Sequence, residues 1–492
     1  MKWNPYEQNK SADFFDPEFM FGEKEKFDIV IGNPPYGAKL SQCNIEEIKK
    51  NYLLKTTETA ILFIEKGYNL LKSKGVKSYI IPKSFTFASN YSNCRDYLKN
   101  NIKLIVDCGK AFENVKLETV IVLSLKGSIL NNYSSITYDT EKFFKNEIII
   151  KKEVSSKFGF YLNNVKEEEI NIAIKILNSS VYLKDIATNT RGETLQKYIS
   201  NTGKYKIIGG KEIDRYKIRG VKGYIDEKFI KSEKSKIKDN SLLTQNIIAH
   251  ITKPIEHIKI ICCIPKNLNY VILDTINQII IYNKNYKKEF LWAILNSKLI
   301  NWYTYIFIFA KAIRTMHFDN SVTNRLPIPK LSTEKQKPFE TLVDYIIYLK
   351  ENAEKYQNTD LFSADKLFER VIDFMVYGLY FENEMKADGT YINDEVAPIL
   401  FSVSPLKGET KVQDIGQEKE HKNEAKKSPH YQGGDLEGGL EQQIRTVYNA
   451  FKNNKLIMKA LTFCNVEEVK IIEESIKTNS NEVDMEIDKN ED

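Results

Sequence analysis

The sequence predicts an α/β protein in three parts: an open sheet near the N-terminal end, a β-rich middle and a helical C-terminal region. Three observations carry this. Over the first 130 residues, apolar strand runs alternate with stretches whose apolar positions repeat at helical spacing, the pattern of a sheet covered by helices. From about 177 to 330 the chain turns to short apolar runs broken by Asn, Asp, Gly and Pro. From 333 onward, apolar stripes at helical spacing return. At 492 residues, 42% hydrophobic and 28% charged, the chain is long enough for two or three domains, each with a core.

Each element follows in order. Residues 27–31 of FDIVIGNPPYG form a continuous apolar strand closed by Asn33-Pro34-Pro35-Tyr36. ETAILFIEKGYNLLK (58–72) has apolar positions at helical spacing, with Gly75 as the expected C-cap. VKSYIIP is a second strand stopped by Pro82, NCRDYLKN a helix, and KLIVDCG and ETVIVLSL two more strands, so an α/β sheet with helices on both faces is expected. Residues 131–176 carry a mixed signal and read as a connector ending in a helix, EEEINIAIKILNS. The 177–332 domain holds KYKIIGG, IKIICCI, YVILD and QIIIYN as strands, then KEFLWAILNSKLINWYTYIF as one helix. Residues 333–400 are helical, with stripes at Leu342, Tyr345, Ile346, Leu349 and at Leu367, Val371, Phe374, Met375. Residues 401–440 are polar and Gly-rich and read as a flexible linker, and 441–492 as a helical segment with an acidic tail.

Composition limits the function. A net charge of +6 permits a polyanionic partner without requiring one. The six cysteines show no C-x-x-C or Cys/His spacing, so no metal site and a reducing, cytoplasmic setting are expected, with Cys262-Cys263 as core. The longest apolar stretch, 302–310, is far short of a membrane span, and no secretory leader is read.

The informative chemistry sits at residues 33–36. Two prolines remove two backbone donors and force an extended path, so a rigid elbow closes the strand. In open α/β sheets, ligands bind at that edge. Asn33 offers a side-chain carbonyl, Pro34 a backbone carbonyl with no competing donor nearby in sequence, and Tyr36 a flat face. Two acceptors aimed at an exocyclic amino group draw its nitrogen toward tetrahedral geometry and stabilise the positive charge that grows there on methylation. An aromatic ring holds the base by stacking, roughly 1–3 kcal/mol per base.

FDIVIGNPPYG resembles the catalytic motif of N6-adenine DNA methyltransferases, and ADFFDPEFMFGEKEK before it is similar to the lead-in of the larger restriction–modification enzymes of that class. Downstream, GVKSYIIPKSF and GKAFENVKLETVIVLSL resemble the later motifs in order, and the second places Phe112 on the other face of the flipped adenine. Residues 177–332, notably AILNSKLINWY and NRLPIP, resemble the TaqI-like specificity domain. The resemblance covers roughly residues 1–332 and has the gamma-type order of parts. It implies a partial Rossmann-like methyltransferase sheet over 1–130, a target recognition domain over 177–332, Asn33, Pro34, Pro35 and Tyr36 as catalytic residues, and Tyr36 and Phe112 as the rings that hold the base. It implies S-adenosylmethionine as methyl donor and double-stranded DNA as partner, with the base everted to be reached.

The family's Gly-containing donor loop, however, belongs upstream of the catalytic strand, where no strand, Gly-rich turn and helix unit is spelled here. The expectation is therefore a C-terminal portion of a longer or split enzyme, its donor site completed by another segment or a separate polypeptide.

Candidate DNA contacts are Arg191, Lys197, Lys211, Arg215, Lys217, Arg219, Lys311 and Arg314, with DRYKIRGVKGY interleaving base and ring through Tyr216, Lys222 and Tyr224. A solvated, charge-protected strand edge explains the same pattern. His317 reads as a polar contact. The rival functions are a non-catalytic specificity subunit or remnant, and an RNA or protein N-methyltransferase sharing the loop.

Overall fold

The computed structural model describes residues 4, 7, 16–112, 117–139, 143–313, 316–403 and 434–476. The expected linker and acidic tail fall mostly outside these, as does Arg314. The chain divides into two units, 1–171 with Tyr305–Arg314, and Ile172–Thr304 with 315–492.

Unit 1 is built on a six-stranded mixed sheet. Its strands are β1 (Phe27–Gly32), β2 (Leu71–Pro82), β3 (Ile102–Gly109), β4 (Thr119–Leu125), β5 (Asn132–Asp139) and β6 (Phe143–Lys151), in the order β1-β2-β4-β3-β5-β6. β1 and β2 are parallel, as are β3 and β5, while β4 runs antiparallel between β2 and β3. The carboxyl ends of β1, β2, β3 and β5 therefore share one edge with the start of β4. The helices are α1 (Pro17–Phe21), α2 (Gln42–Asn51), α3 (Thr59–Leu70), α4 (Ser92–Leu98) and α5 (Lys152–Phe158). α1 starts where a side chain can cap it: Asp16 accepts from Phe19 N, with Pro17 at the first turn.

The sheet is of the expected α/β kind and is mixed, because short connections let β4 return antiparallel. Two expectations for this unit change. The stretch read as a connector contains β5 and β6, whose polar positions alternate with Tyr133 and Ile150, both buried. Gly75 lies inside β2, and α3 is capped by Leu71.

Tyr79 fixes how α3 meets the sheet. A Cβ added at Gly67 of α3 would collide with the Tyr79 hydroxyl and come within 2.8 Å of its Cζ, and one at Gly32 would lie 3.1 Å from Cε1. The two glycines thus make room for one ring beneath the end of β1. Beside it Lys77 is buried, its ammonium donating to Ile64 O at 3.2 Å and lying 5.6 and 5.4 Å from the Tyr68 and Tyr79 ring centres.

Unit 2 contains a four-stranded antiparallel sheet in the order Cys262–Cys263, Ser241–Gln245, Ile276–Ile281, Ala187–Arg191, and a three-stranded one of Gly223–Ile225, Tyr205–Ile208 and Tyr270–Ile272. Cys262 and Cys263 are fully buried. Helices Thr333–Glu351 and Ala364–Tyr380 carry the two stripes; Leu342, Tyr345, Ile346, Leu349, Val371, Phe374 and Met375 are buried, while Leu367 is partly exposed. The single helix expected over KEFLWAILNSKLINWYTYIF breaks at Ser297, whose hydroxyl caps Lys298–Tyr303 by accepting from Ile300 N. Glu473 of the last helix accepts from Arg370, Lys298 and Tyr377 at 2.6, 2.8 and 2.7 Å and ties that helix to the rest of unit 2. Among the described residues no helix is long and apolar enough to cross a membrane.

Two stability measurements test unit 1. Gly67→Ala, which ordinarily favours a helix, should here destabilise by about 1–3 kcal/mol through overpacking against Tyr79, seen as a lower midpoint in urea. Burial pushes Lys77 down to about 7. The unfolded chain holds that proton to about pH 10, so between about pH 7 and 10 the unfolded state binds more protons and stability rises with pH. Lys77→Met should flatten that rise; an unchanged slope in unfolding free energy against pH would refute it.

Candidate functional site

The loop after β1 stands at the shared sheet edge. Asn33 is exposed, Pro34 buried and Tyr36 partly buried. α3 fixes the loop through its first residue: the buried Thr59 hydroxyl donates to Pro35 O at 2.7 Å and accepts from Ala38 N at 3.3 Å. Among the described residues no donor meets the Pro34 carbonyl, so of the two proline carbonyls one is held and one is left available. Farther along α3, buried Glu65 accepts from Leu53 N at 2.8 Å and Leu54 N at 3.0 Å, which fastens the chain leading from the loop into the helix.

Tyr36 links the loop to β2. Its hydroxyl lies 2.8 Å from Asn33 Oδ1 and 2.8 Å from Ile80 O. One phenol proton serves two acceptors, so the contacts compete. While Ile80 O holds the proton, Asn33 Oδ1 is released to accept from another donor. Burial, and then the Cys108 thiol of β3, raise the Tyr36 pKa, which keeps it a donor at neutral pH. Cys108 is itself pushed up to about 11 by burial and by neighbouring Asp107. β3 ends at Gly109 on the same sheet edge, and Phe112, 37% exposed, follows three residues later.

On the outer side, β1 pairs only with β2 among the described residues, and Ile29 and Ile31 on one of its faces are 60% and 77% exposed. Native sheets ordinarily protect such an edge with charge or cover.

The candidate DNA contacts divide. Lys211, Lys217, Arg219 and Lys222 are exposed, with Arg219 Nε 2.6 Å from Asp214 Oδ2. Arg191 is half-exposed and donates to Asp274 O at 2.6 Å, and Lys197 lies 4.8 Å from the centre of the Tyr198 ring, which stacks on Phe229. Arg215 is turned toward the interior: its Nε donates to Ile260 O at 3.2 Å and its carbonyl accepts from Trp292 Nε1 at 2.7 Å. Tyr216 follows it inward, donating to Glu369 beneath Lys350, while Tyr224 is partly buried. Lys311, expected in the 177–332 domain, belongs to unit 1 and pairs with Glu169 at 3.1 Å. His317 makes the expected polar contact, 3.0 Å from Asn246 Nδ2.

Sequence reasoning did not single out Thr59, Glu65, Ile80 or Cys108. A carboxylate and a threonine inside an apolar helix are the signals that mark the first two.

Comparison with known proteins gives this geometry a family context. Residues 2–113 match the Eco57I restriction-modification methylase family, and residues 205–328 the TaqI-like C-terminal specificity domain. A Methanocaldococcus jannaschii protein named as a type II restriction enzyme and methyltransferase, RM.MjaORFECS2P, is 27% identical over 390 residues, which are 73% of this chain and 32% of that one. The adenine-specific methyltransferase BrxX of Escherichia coli O9:H4 is 26% identical over 138 residues, 25% of this chain and 11% of that protein. The type IIL restriction-modification enzyme MmeI, solved in complex with DNA, superposes with a TM-score of 0.46 at 11% identity, over 76% of this chain and 57% of that one. The chain thus carries an Eco57I-like methylase segment followed by a TaqI-like specificity domain, and spans about a third or less of the two curated relatives.

The loop geometry itself is testable. Tyr36→Phe removes the proton shared by Asn33 and Ile80 O and should lower the unfolding free energy by about 1 kcal/mol in urea titration. A change below about 0.3 kcal/mol would mean the hydroxyl bonds contribute nothing net.

Proposed function

We propose that this chain supplies the base-handling and sequence-reading part of a restriction–modification DNA methyltransferase that methylates N6 of adenine, with S-adenosylmethionine as donor. The observation that carries the reading is the exposed Asn33 amide beside a Pro34 carbonyl with no described donor, at the carboxyl edge of a sheet and next to an aromatic ring. The adenine-specific name of one relative and the order of the two matched domains support it.

An adenine amino group is a weak nucleophile because its lone pair is delocalised into the ring. Asn33 Oδ1 and Pro34 O would accept its two hydrogens, localise the lone pair on nitrogen and stabilise the charge that develops there. Tyr36 and Phe112 would hold the everted ring between them, at roughly 1–3 kcal/mol per stacked face. The amino proton becomes acidic once nitrogen is alkylated and leaves to solvent, so this site needs no general base.

The donor contributes an electrophilic methyl group, but the described residues do not fit its binding. Ahead of β1 they form only the five-residue helix α1, with no strand and Gly-rich turn to cradle it. The uncovered face of β1 supports a further α/β segment, in the same polypeptide or a separate one, packing there to complete the donor site. In unit 2, Arg191, Lys197, Lys217 and Arg219 are the solvent-facing candidates for phosphate and base contacts, and an Arg that reads guanine contributes about 1–3 kcal/mol of discrimination. Lys311, held by Glu169, and the inward Arg215 are weaker candidates.

The test is methyl transfer from tritiated donor to duplex DNA by the complete enzyme. Asn33→Ala should abolish transfer, by roughly 10² or more on the scale of losing one such acceptor, while gel-shift affinity for DNA persists. Full transfer by that variant would end the methyltransferase reading and leave a DNA-binding specificity subunit.

A further inference from the structure

We propose that Lys83 is a positioning residue: with Asp107 and Glu118 it holds both ends of the segment that carries Phe112, so that this ring can meet the base. The proposal rests on the methyltransferase reading above.

Lys83 follows Pro82 at the carboxyl end of β2 and is 3% exposed. Its ammonium lies 2.9 Å from Asp107 Oδ2 in β3 and 3.4 Å from Glu118 Oε1 just before β4. Asp107 and Glu118 are 2% and 8% exposed. These two residues bracket Phe112: one precedes the β3–β4 connection and the other ends it. Lys83 also reaches Glu118 through the main chain, its N–H donating to Glu118 O at 2.9 Å. Each carboxylate spends its second oxygen on backbone, Asp107 Oδ1 on Gly109 N at 3.1 Å and Glu118 Oε2 on Ile313 N at 2.7 Å. One cation and two acids thus stitch together the end of β2, both ends of the Phe112 segment and the Tyr305–Arg314 segment of unit 1.

A buried ion triad of this kind is poor value as a stabiliser, since desolvation offsets most of the Coulomb attraction. Its geometry suits specification of one backbone arrangement. Ile80 O, three residues before Lys83, binds the Tyr36 hydroxyl. The end of β2 therefore anchors the loop of one base-holding ring and the bracket of the other, and Lys83 acts on the base only through Phe112.

That dependence makes the test a double-mutant cycle in the complete enzyme, with Lys83→Met and Phe112→Ala alone and combined, read by single-turnover methyl transfer. Each single variant should slow transfer roughly tenfold, with DNA affinity within about twofold of the parent, the loss of one stacked face. The pair should be no more than about twofold slower than Phe112→Ala alone, because both remove the same contact. With 2-aminopurine at the target position, Lys83→Met should shift the emission of the everted base as Phe112→Ala does. Effects that multiply to roughly a hundredfold, an unaffected Lys83→Met, or a silent Phe112→Ala would each overturn the proposal. If Lys83→Met fails to fold, Glu118→Gln, which removes the charge that Lys83 holds, enters the same cycle under the same criteria. Failure of the underlying reading looks different: Asn33→Ala would then retain transfer, whereas with that variant dead, additivity between Lys83 and Phe112 sinks this inference alone.

Discussion

The carboxyl end of β2 is the constraint on which the rest of unit 1 depends. Within four residues it supplies Ile80 O to the Tyr36 hydroxyl, Pro82 to stop the strand, and Lys83 to join β3 and the start of β4. Each of these would be a minor feature elsewhere. Together they bring the ends of β1, β3 and β4 into one arrangement, since β2 is the hydrogen-bonded neighbour of β1 and β4. A hydrogen bond contributes only about 1 kcal/mol net, so the value of these contacts lies in what they align more than in what they add to stability.

Rigidity at residues 33–36 has a second source in the chain's covalent geometry. Pro34 and Pro35 have fixed φ and no N–H, so the unfolded chain already samples few conformations there and little entropy is lost on ordering it. Thr59 then holds Pro35 O and leaves Pro34 O. The acceptor left over is fixed in direction before any ligand arrives. Prearrangement of that kind is what electrostatic stabilisation of a developing charge requires, because a dipole that must turn during the reaction gives back much of its benefit.

Much of this was legible in the sequence, and the failures have physical causes. The elbow after β1 could be read because proline chemistry is local: two prolines after an apolar strand leave few options. Phe112 was named from resemblance alone, and the structure leaves it 37% exposed. β5 and β6 were missed because polar residues interrupt their apolar positions, Ser134, Ser135 and Thr137 in β5 and Lys145, Asn146 and Glu147 in β6, so neither strand is one continuous apolar run. The break at Ser297 was hidden by an apolar pattern that continues through it, although Ser is a strong cap. In DRYKIRGVKGY, alternation suggested a basic face, yet packing turned Arg215 and Tyr216 inward and left Lys217 and Arg219 outside. Lys83 carried no signal, since a single lysine after a strand ordinarily reads as solvated, and its burial depends on two acids that come 24 and 35 residues later.

On the proposed reading, these placements sort charge by task. The acceptors offered to the base are neutral, a side-chain amide and a peptide carbonyl, while the acids near the same edge are buried and spent on Lys83 and backbone. A carboxylate at position 33 would also attract an amino group, but it would lose water when the base stacks over it, and burying an unpaired anion costs far more than burying an amide. It would compete for cations and take up a proton as its surroundings dried. A neutral acceptor avoids each of these while still favouring the transition state, because its attraction grows as the nitrogen becomes positive.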